Sequence, residues 1–391
     1  MPNRRSVLKG LGVALVGAPV GAAFAAGQIS GRGASAAGTA LPLTIVNHSN
    51  RYANSQVWYY IVGTNLATGQ QSFVSPNGTL TPVLLSLNGP DGFADLSIPL
   101  AAGGDTTLAI PPDMSGRVYF SLGGELKFKA VTDGAGNSAL QYPAGWVSGD
   151  PSYTVLHDCV EFTHNSSGMF CNTTMVDMFS VPLSITLKGA ATQTTGTLVS
   201  GGRANIFNAI KANSTFAPLV VGDLRVIAPG HGIDTGIFPA DYFGSSIDQV
   251  WSKYSGQQLT VETDSGTYTG QVSGGTFNFS GGVASFAKPS TRDVFYCDGA
   301  LAAPNDGRTG PVAAVLGAAF NRSTLLSRPN QPVADPGTFY QDAVTNHYSK
   351  AMHANTVDGK AYGFPFDDVL SFASYIQDTA PTGITIELTP F

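Results

Sequence analysis

Charge is what this sequence has least of. Only 12% of its 391 residues are Asp, Glu, Lys or Arg, about half the share of roughly 25% usual in globular proteins. The net charge of −6 leaves no electrostatic footprint for nucleic acid or an anionic membrane. Cysteine is scarce as well. Cys159, Cys171 and Cys297 are an odd set, which leaves at least one thiol unpaired within a monomer. Cys159 and Cys171 flank one hairpin-like stretch, but spacing alone does not show whether they meet. No CxxC, no HExxH and no cluster of His and Cys appears, which argues against a bound metal. No GxGxxG follows a strand, so nothing calls for a nucleotide cofactor. The apolar run at 11–24 is too short and too rich in Gly and Ala to span a membrane. There is no internal repeat. What is present is a weakly charged, hydroxyl-rich surface with 14 Tyr and 22 Phe, which suits a neutral polymer as partner.

The chain divides by texture. Residues 1–26 read as an export signal: Arg4-Arg5 precedes the apolar run, and Ala23-Phe24-Ala25 has the small-x-small form of a cleavage site. This predicts a secreted protein using the twin-arginine route. Residues 27–40 read as a flexible leader. Residues 41–190 are β-rich, with strands expected at 43–46, 56–62, 83–87, 106–110 and 117–122 separated by Gly/Pro/Asn turns. That rate of short strands predicts a sandwich or barrel. Trp146, in the long loop before the central hairpin, reads as a cover for the core edge, with sugar stacking as the functional alternative. Residues 191–380 read as a mixed α/β part. Helices are expected at 203–213, 238–254, 311–326, 339–353 and 367–376, and about four short strands between 258 and 286. Residues 381–391 carry a last strand that can rejoin the first part, since chain ends often lie close together.

The stretch 157–187, HDCVEFTHNSSGMFCNTTMVDMFSVPLSITL, organises the rest. Glu161 and Asp177 sit in runs that otherwise read as buried strand, split by a turn at 165–168. A carboxylate in apolar surroundings costs free energy unless it is paired, so it is a structural ion pair or a group tuned for chemistry. Glu161, Thr163 and Asn165 share one strand face by period-two alternation. With Asn172, Thr173 and Thr174 they make a row suited to hydroxylated ligands. His164 faces the other side and reads as a turn residue first and a substrate contact second. Asp367 and Asp368 read as caps of a helix, Asp298 and Asp306 as turn residues, and Asp158 as exposed.

The string VEFTHNSSGMFCNTTMVDMFSVPLSITL resembles the central strands of glycoside hydrolase family 64, the β-1,3-glucanases that release laminaripentaose. VIAPGHGID, FPADYFGSSIDQVWSKY, DVFYCDGALAAPNDGRTGPVAAVLGAAFNRSTLL and KAYGFPFDDV extend the resemblance over residues 40–391. It implies a thaumatin-like fold, a β-barrel or sandwich beside a mixed α/β domain, with a wide open groove between them. It implies an inverting mechanism on β-1,3-glucan. Separately, no cofactor is expected and the protein is read as a monomer. Glu161 matches the family's general acid and Asp177 its general base. Thr163, Asn165 and Thr174 match groups that contact the glucan, and Phe170 stands where pentaose-producing members have Trp. Two readings compete with hydrolysis. One is a thaumatin-like glucan-binding protein without catalysis, which would not need both acids. The other is an exported redox enzyme, for which no cofactor motif speaks.

Overall fold

A computed structural model describes residues 39–391. The export signal at 1–26 and all but the last two residues of the 27–40 leader lie outside that range. Most of the N-terminal half is two packed sheets. One has five strands in the order Thr192–Thr195, Leu183–Lys188, Gly383–Leu388, Leu41–Asn47, Thr106–Ile110. The other runs Tyr375–Asp378, Gly168–Thr173, Leu156–Asn165, Met114–Leu122, Val57–Asn65, Gln71–Val74, Leu80–Pro82, with Ile98–Pro99 attached. Alternation explains the layering. Leu43, Ile45, Ile185, Leu187, Ile384 and Ile386 from the first sheet meet Tyr59, Ile61, Val118, Phe120, Val160 and Phe162 from the second in one apolar core. The opposite face of the larger sheet is partly covered by Phe128, Leu126 and Leu140, packed on Tyr60, Val62 and Tyr119. The rest of that face carries Glu161.

The second core is built by the helices Gly202–Ala212, Gly244–Gly256 and Thr309–Asn321 against a sheet of Leu259–Thr263, Gly266–Ser273, Thr276–Phe279 and Asn330–Gln331. The final strand Gly383–Leu388 lies between Leu41–Asn47, parallel, and Leu183–Lys188, antiparallel. The chain returns earlier than composition suggests, because Tyr375–Asp378 already edges the larger sheet beside Gly168–Thr173. A three-stranded sheet ties the two parts together. Met178–Phe179, just past the central hairpin, pairs with Arg225–Ile227.

Five expected elements differ, two of them only in their bounds: the 238–254 helix runs Gly244–Gly256 and the 311–326 helix runs Thr309–Asn321. Residues 83–87 form a 3-10 turn at Leu85–Leu87, because the adjacent leucines lack period-two alternation, and Leu84 and Leu85 stay exposed. The 339–353 helix shrinks to His347–Ala354, since Tyr340 sits at φ 58°, outside helical space. The 367–376 helix is reduced to a single 3-10 turn at Val369–Ser371. Leu370 and Ser371 have φ of 62° and 63°, and Arg322 takes the carbonyls of Asp367 and Val369. Asp367 caps nothing. It is fully buried and accepts from Arg322, His353, Ser349 and the Gly363 amide. Asp158 is also buried rather than exposed, accepting from the amides of Cys159, Ser180 and Val181, and burial pushes its carboxyl up to about 7.

Candidate active site

Leu156–Asn165 and Gly168–Thr173 form the expected hairpin, with Asn165 accepting from the Ser167 amide to close the turn. Glu161 points to the face away from the sandwich core. Its cross-strand neighbours there are Asn172 on one side and Arg117 on the other; those of Thr163 are Phe170 and Ser115. Asp177 is not on the second arm of the hairpin. It follows Thr173 by four residues, and its carbonyl accepts from the Ala228 amide at 3.0 Å. It reaches Glu161 because the chain bends out of the sheet at 174–177 to join the Arg225–Ile227 strand.

One arginine holds both acids. Arg117 donates to Glu161 Oε1 from Nε at 3.1 Å and from NH2 at 2.9 Å, and its NH1 lies 3.4 Å from Asp177 Oδ2. A planar guanidinium reaching both keeps those oxygens no more than about 9 Å apart. The remaining contacts differ. Glu161 Oε2 accepts from the neutral Asn172 amide at 2.9 Å. Asp177 Oδ1 faces His231 Nε2 at 2.9 Å. Glu161 is 2% exposed and Asp177 9%. Burial raises the Glu161 carboxyl above the usual range against the pull of Arg117 and Asn172. Burial also pushes Asp177 up, but His231 and Arg117 together overcome it and hold Asp177 below the usual range.

His231 comes from the helix Pro229–Asp234, which starts with Pro at its first position after an extended Ala228. Trp146 stacks on the imidazole at 4.1 Å and 14°. It therefore packs on a site residue, and its loop is fixed by Arg225, which donates to the carbonyls of Gly145 and Tyr153.

The profile of the β-1,3-glucanase family, glycoside hydrolase 64, matches residues 39–388. The chain belongs to that family. It is 34% identical over 374 residues to a glucan endo-1,3-β-glucosidase of Cellulosimicrobium cellulans, an alignment covering 92% of this chain and 66% of that protein. Among solved structures it resembles a laminaripentaose-producing β-1,3-glucanase in complex with laminaritetraose, with 39% identity, 90% of this chain and 99% of that one covered, and a TM-score of 0.82. A family 64 β-1,3-glucanase domain from Clostridium beijerinckii is 30% identical, with 90% and 98% coverage and a TM-score of 0.78.

Within this family member the other sequence-derived residues fall as follows. Thr163 is buried beside Glu161, with its hydroxyl 2.7 Å from that of Ser115. Phe170 is half-buried on the same face, between Thr163 and Gln377 on neighbouring strands. Asn165 lies at the turn, its side-chain oxygen already used there. Thr174 lines a cavity with Arg117, Trp146 and Asp177. His164 is not a turn residue. It lies within the strand, on the other face, beside the Pro111 carbonyl. Cys159 and Cys171 belong to the cores on opposite faces of the sheet and form no disulfide. Among the described residues no three His, Cys, Asp or Glu side chains gather where they could hold a metal ion. Sequence reading missed Arg117 and His231. Arg117 is a cation inside an apolar strand, the same signal that singled out Glu161. His231 lies in VIAPGHGID, whose resemblance to the family was legible but whose role was not.

Proposed function

We propose that the protein is a secreted endo-acting β-1,3-glucanase that hydrolyses its substrate with inversion, Glu161 serving as general acid and Asp177 as general base. The observation that carries this reading is the single guanidinium shared by two buried carboxylates whose proton affinities move in opposite directions. Environments that push paired acids apart mark which gives a proton and which takes one. Arg117 occupies Glu161 Oε1 twice, so the acid proton belongs on Oε2, the oxygen toward Asn172. Asp177, ionised, polarises the attacking water. Thr163, Thr174 and Asn165 would contact glucan hydroxyls, and Phe170 would stack on a sugar ring. An open groove of thaumatin-like architecture, release of laminaripentaose-type products, action as a monomer and export through the Arg4-Arg5 signal belong to the same reading.

Glu161→Gln and Asp177→Asn should each lower kcat on laminarin or curdlan by about 10²–10⁴ with binding largely kept. NMR of the first product should show the α-anomer. A β-anomer would refute inversion, and near-full activity of either variant would refute that residue's role. A non-catalytic glucan-binding protein would release no reducing sugar at all.

A further inference from the structure

The contacts of His231 do not end at Asp177. Its Nδ1 lies 3.0 Å from the Tyr296 hydroxyl, and that hydroxyl lies 2.7 Å from Asp234 Oδ2. Asp234 accepts twice from Arg292, from Nε at 2.8 Å and NH2 at 3.2 Å. His231 and Asp234 are three residues apart on the Pro229–Asp234 helix; Arg292 and Tyr296 are four apart on Thr291–Tyr296. Each pair therefore shares one helix face, and the two helices pack together. Gly230 makes the approach possible, because a Cβ there would sit 2.8 Å from the Tyr296 ring.

Counting protons along this chain fixes the state of the imidazole. A carboxylate receiving two guanidinium N–H groups is ionised and can only accept. Tyr296 has one hydroxyl proton, and it goes to Asp234. The Tyr296 oxygen can then only accept from His231, so Nδ1 carries a proton. On the other side an ionised Asp177 requires a proton on Nε2. We propose that Tyr296, Asp234 and Arg292 are positioning residues that hold His231 as a doubly protonated imidazolium against Asp177, keeping the base ionised and aimed. This rests on the assignment of Asp177 as base. Support comes from Trp146, whose ring face lies flat on the imidazole at 4.1 Å, where a cation is favoured. Burial and the neighbouring Asp234 keep Tyr296 a phenol, and Arg292 with Tyr296 holds Asp234 below the usual carboxylate range despite partial burial. The other groups facing the pair are Arg117 from Met114–Leu122, Glu161 and Cys159 from Leu156–Asn165, and Tyr348 from His347–Ala354, whose hydroxyl donates to the Met175 carbonyl.

The test is the protonation of His231 by ¹⁵N NMR of histidine-labelled protein near neutral pH, beside kinetics. Wild type should show two protonated ring nitrogens. Tyr296→Phe removes the demand for Nδ1–H, so the neutral Nε2–H tautomer becomes competitive, and its signals should move accordingly. Its kcat should fall about 10–100-fold, less than the 10²–10⁴ expected for losing the base, with KM within about twofold. The acid limb of its pH profile should move to higher pH, because a neutral His231 no longer holds the Asp177 carboxyl down. Asp234→Asn is the gentler variant should Tyr296→Phe fold poorly. An Asn at 234 can donate to the Tyr296 oxygen and free the phenol proton for Nδ1, giving the same changes. A neutral His231 in wild type overturns the relay. So does a Tyr296→Phe or Asp234→Asn enzyme with unchanged kcat and profile. Full activity in Asp177→Asn would instead overturn the base assignment, leaving the NMR result on His231 intact.

Discussion

Replacing Arg117 by Met removes the cation that both acids share and keeps much of its apolar stem. The side chain is largely buried, and so are Glu161 and Asp177. An opposite charge within about 4–6 Å lowers a carboxyl by about 1–3 units, each worth 1.36 kcal/mol. Without Arg117 both carboxyls should therefore rise. As the proposed base Asp177 must be ionised, so activity on the acid side should be lost at a higher pH. As the proposed acid Glu161 must be protonated, so the alkaline limb should move up as well. The whole kcat/KM profile should slide to higher pH by about 1–3 units rather than merely shrink. Stability follows the same sign. Carboxyls raised above their unfolded values bind more protons in the native state, so stability falls as pH rises through them. The Arg117→Met deficit should be small in acid and approach about 3–5 kcal/mol near neutral pH, where buried Glu161 is left without a counter-charge and Asp177 keeps only His231. Calorimetry at several pH values and initial rates on laminarin give both quantities. Arg117→Lys keeps the charge but loses the fork that reaches two partners, so it should fall between. A Met variant with the wild-type profile would show that the guanidinium does not set the two proton affinities.

In the wild-type enzyme the raised Glu161 and lowered Asp177 predict a bell-shaped profile. Activity should appear below the usual carboxylate range of about 4 and fade above it, and a rate that climbs steadily into alkali would contradict that order. Phe170→Trp enlarges the face offered beside Thr163 and should lower KM several-fold at similar kcat, about 0.5–1.5 kcal/mol of added stacking; an unchanged KM would remove Phe170 from the sugar-binding surface. Asp367→Asn strips the buried partner of Arg322 and His353 and should cost about 3–5 kcal/mol in denaturant unfolding. Because Asp367 lies outside the Glu161–Asp177 cluster, the folded fraction should keep wild-type kcat, and a specific loss of turnover would give Asp367 a catalytic part.

The hairpin was legible because its signals are local. Alternation placed Glu161 and Thr163 on one face, and Asn165 to Gly168 marked the turn. The charged partners of the two acids, Arg117 and His231, were not legible, because they come from segments about 44 and 54 residues away along the chain, a separation that periodicity does not encode. Asp158 and Asp367 misled for a related reason. Each looks like an exposed or capping residue in its own segment, yet each is satisfied by distant groups: the Ser180 and Val181 amides for one, Arg322 and His353 for the other. The lost helix at 367–376 follows from the same contact, since Arg322 takes carbonyls that a helix would have used.

Sequence could place two acids near each other but not say which gives the proton; resemblance alone made that choice. The contacts supply an independent argument. Arg117 is common to both carboxylates and, taken alone, favours ionisation of both. What breaks the tie is the second partner. Glu161 has a neutral amide, which can accompany either protonation state, whereas Asp177 has an imidazole that donates to it. Placing one proton on the pair therefore costs less at Glu161 than at Asp177. Exchanging the second partners, with a cation beside Glu161 and an amide beside Asp177, would be expected to reverse the preference without moving either acid.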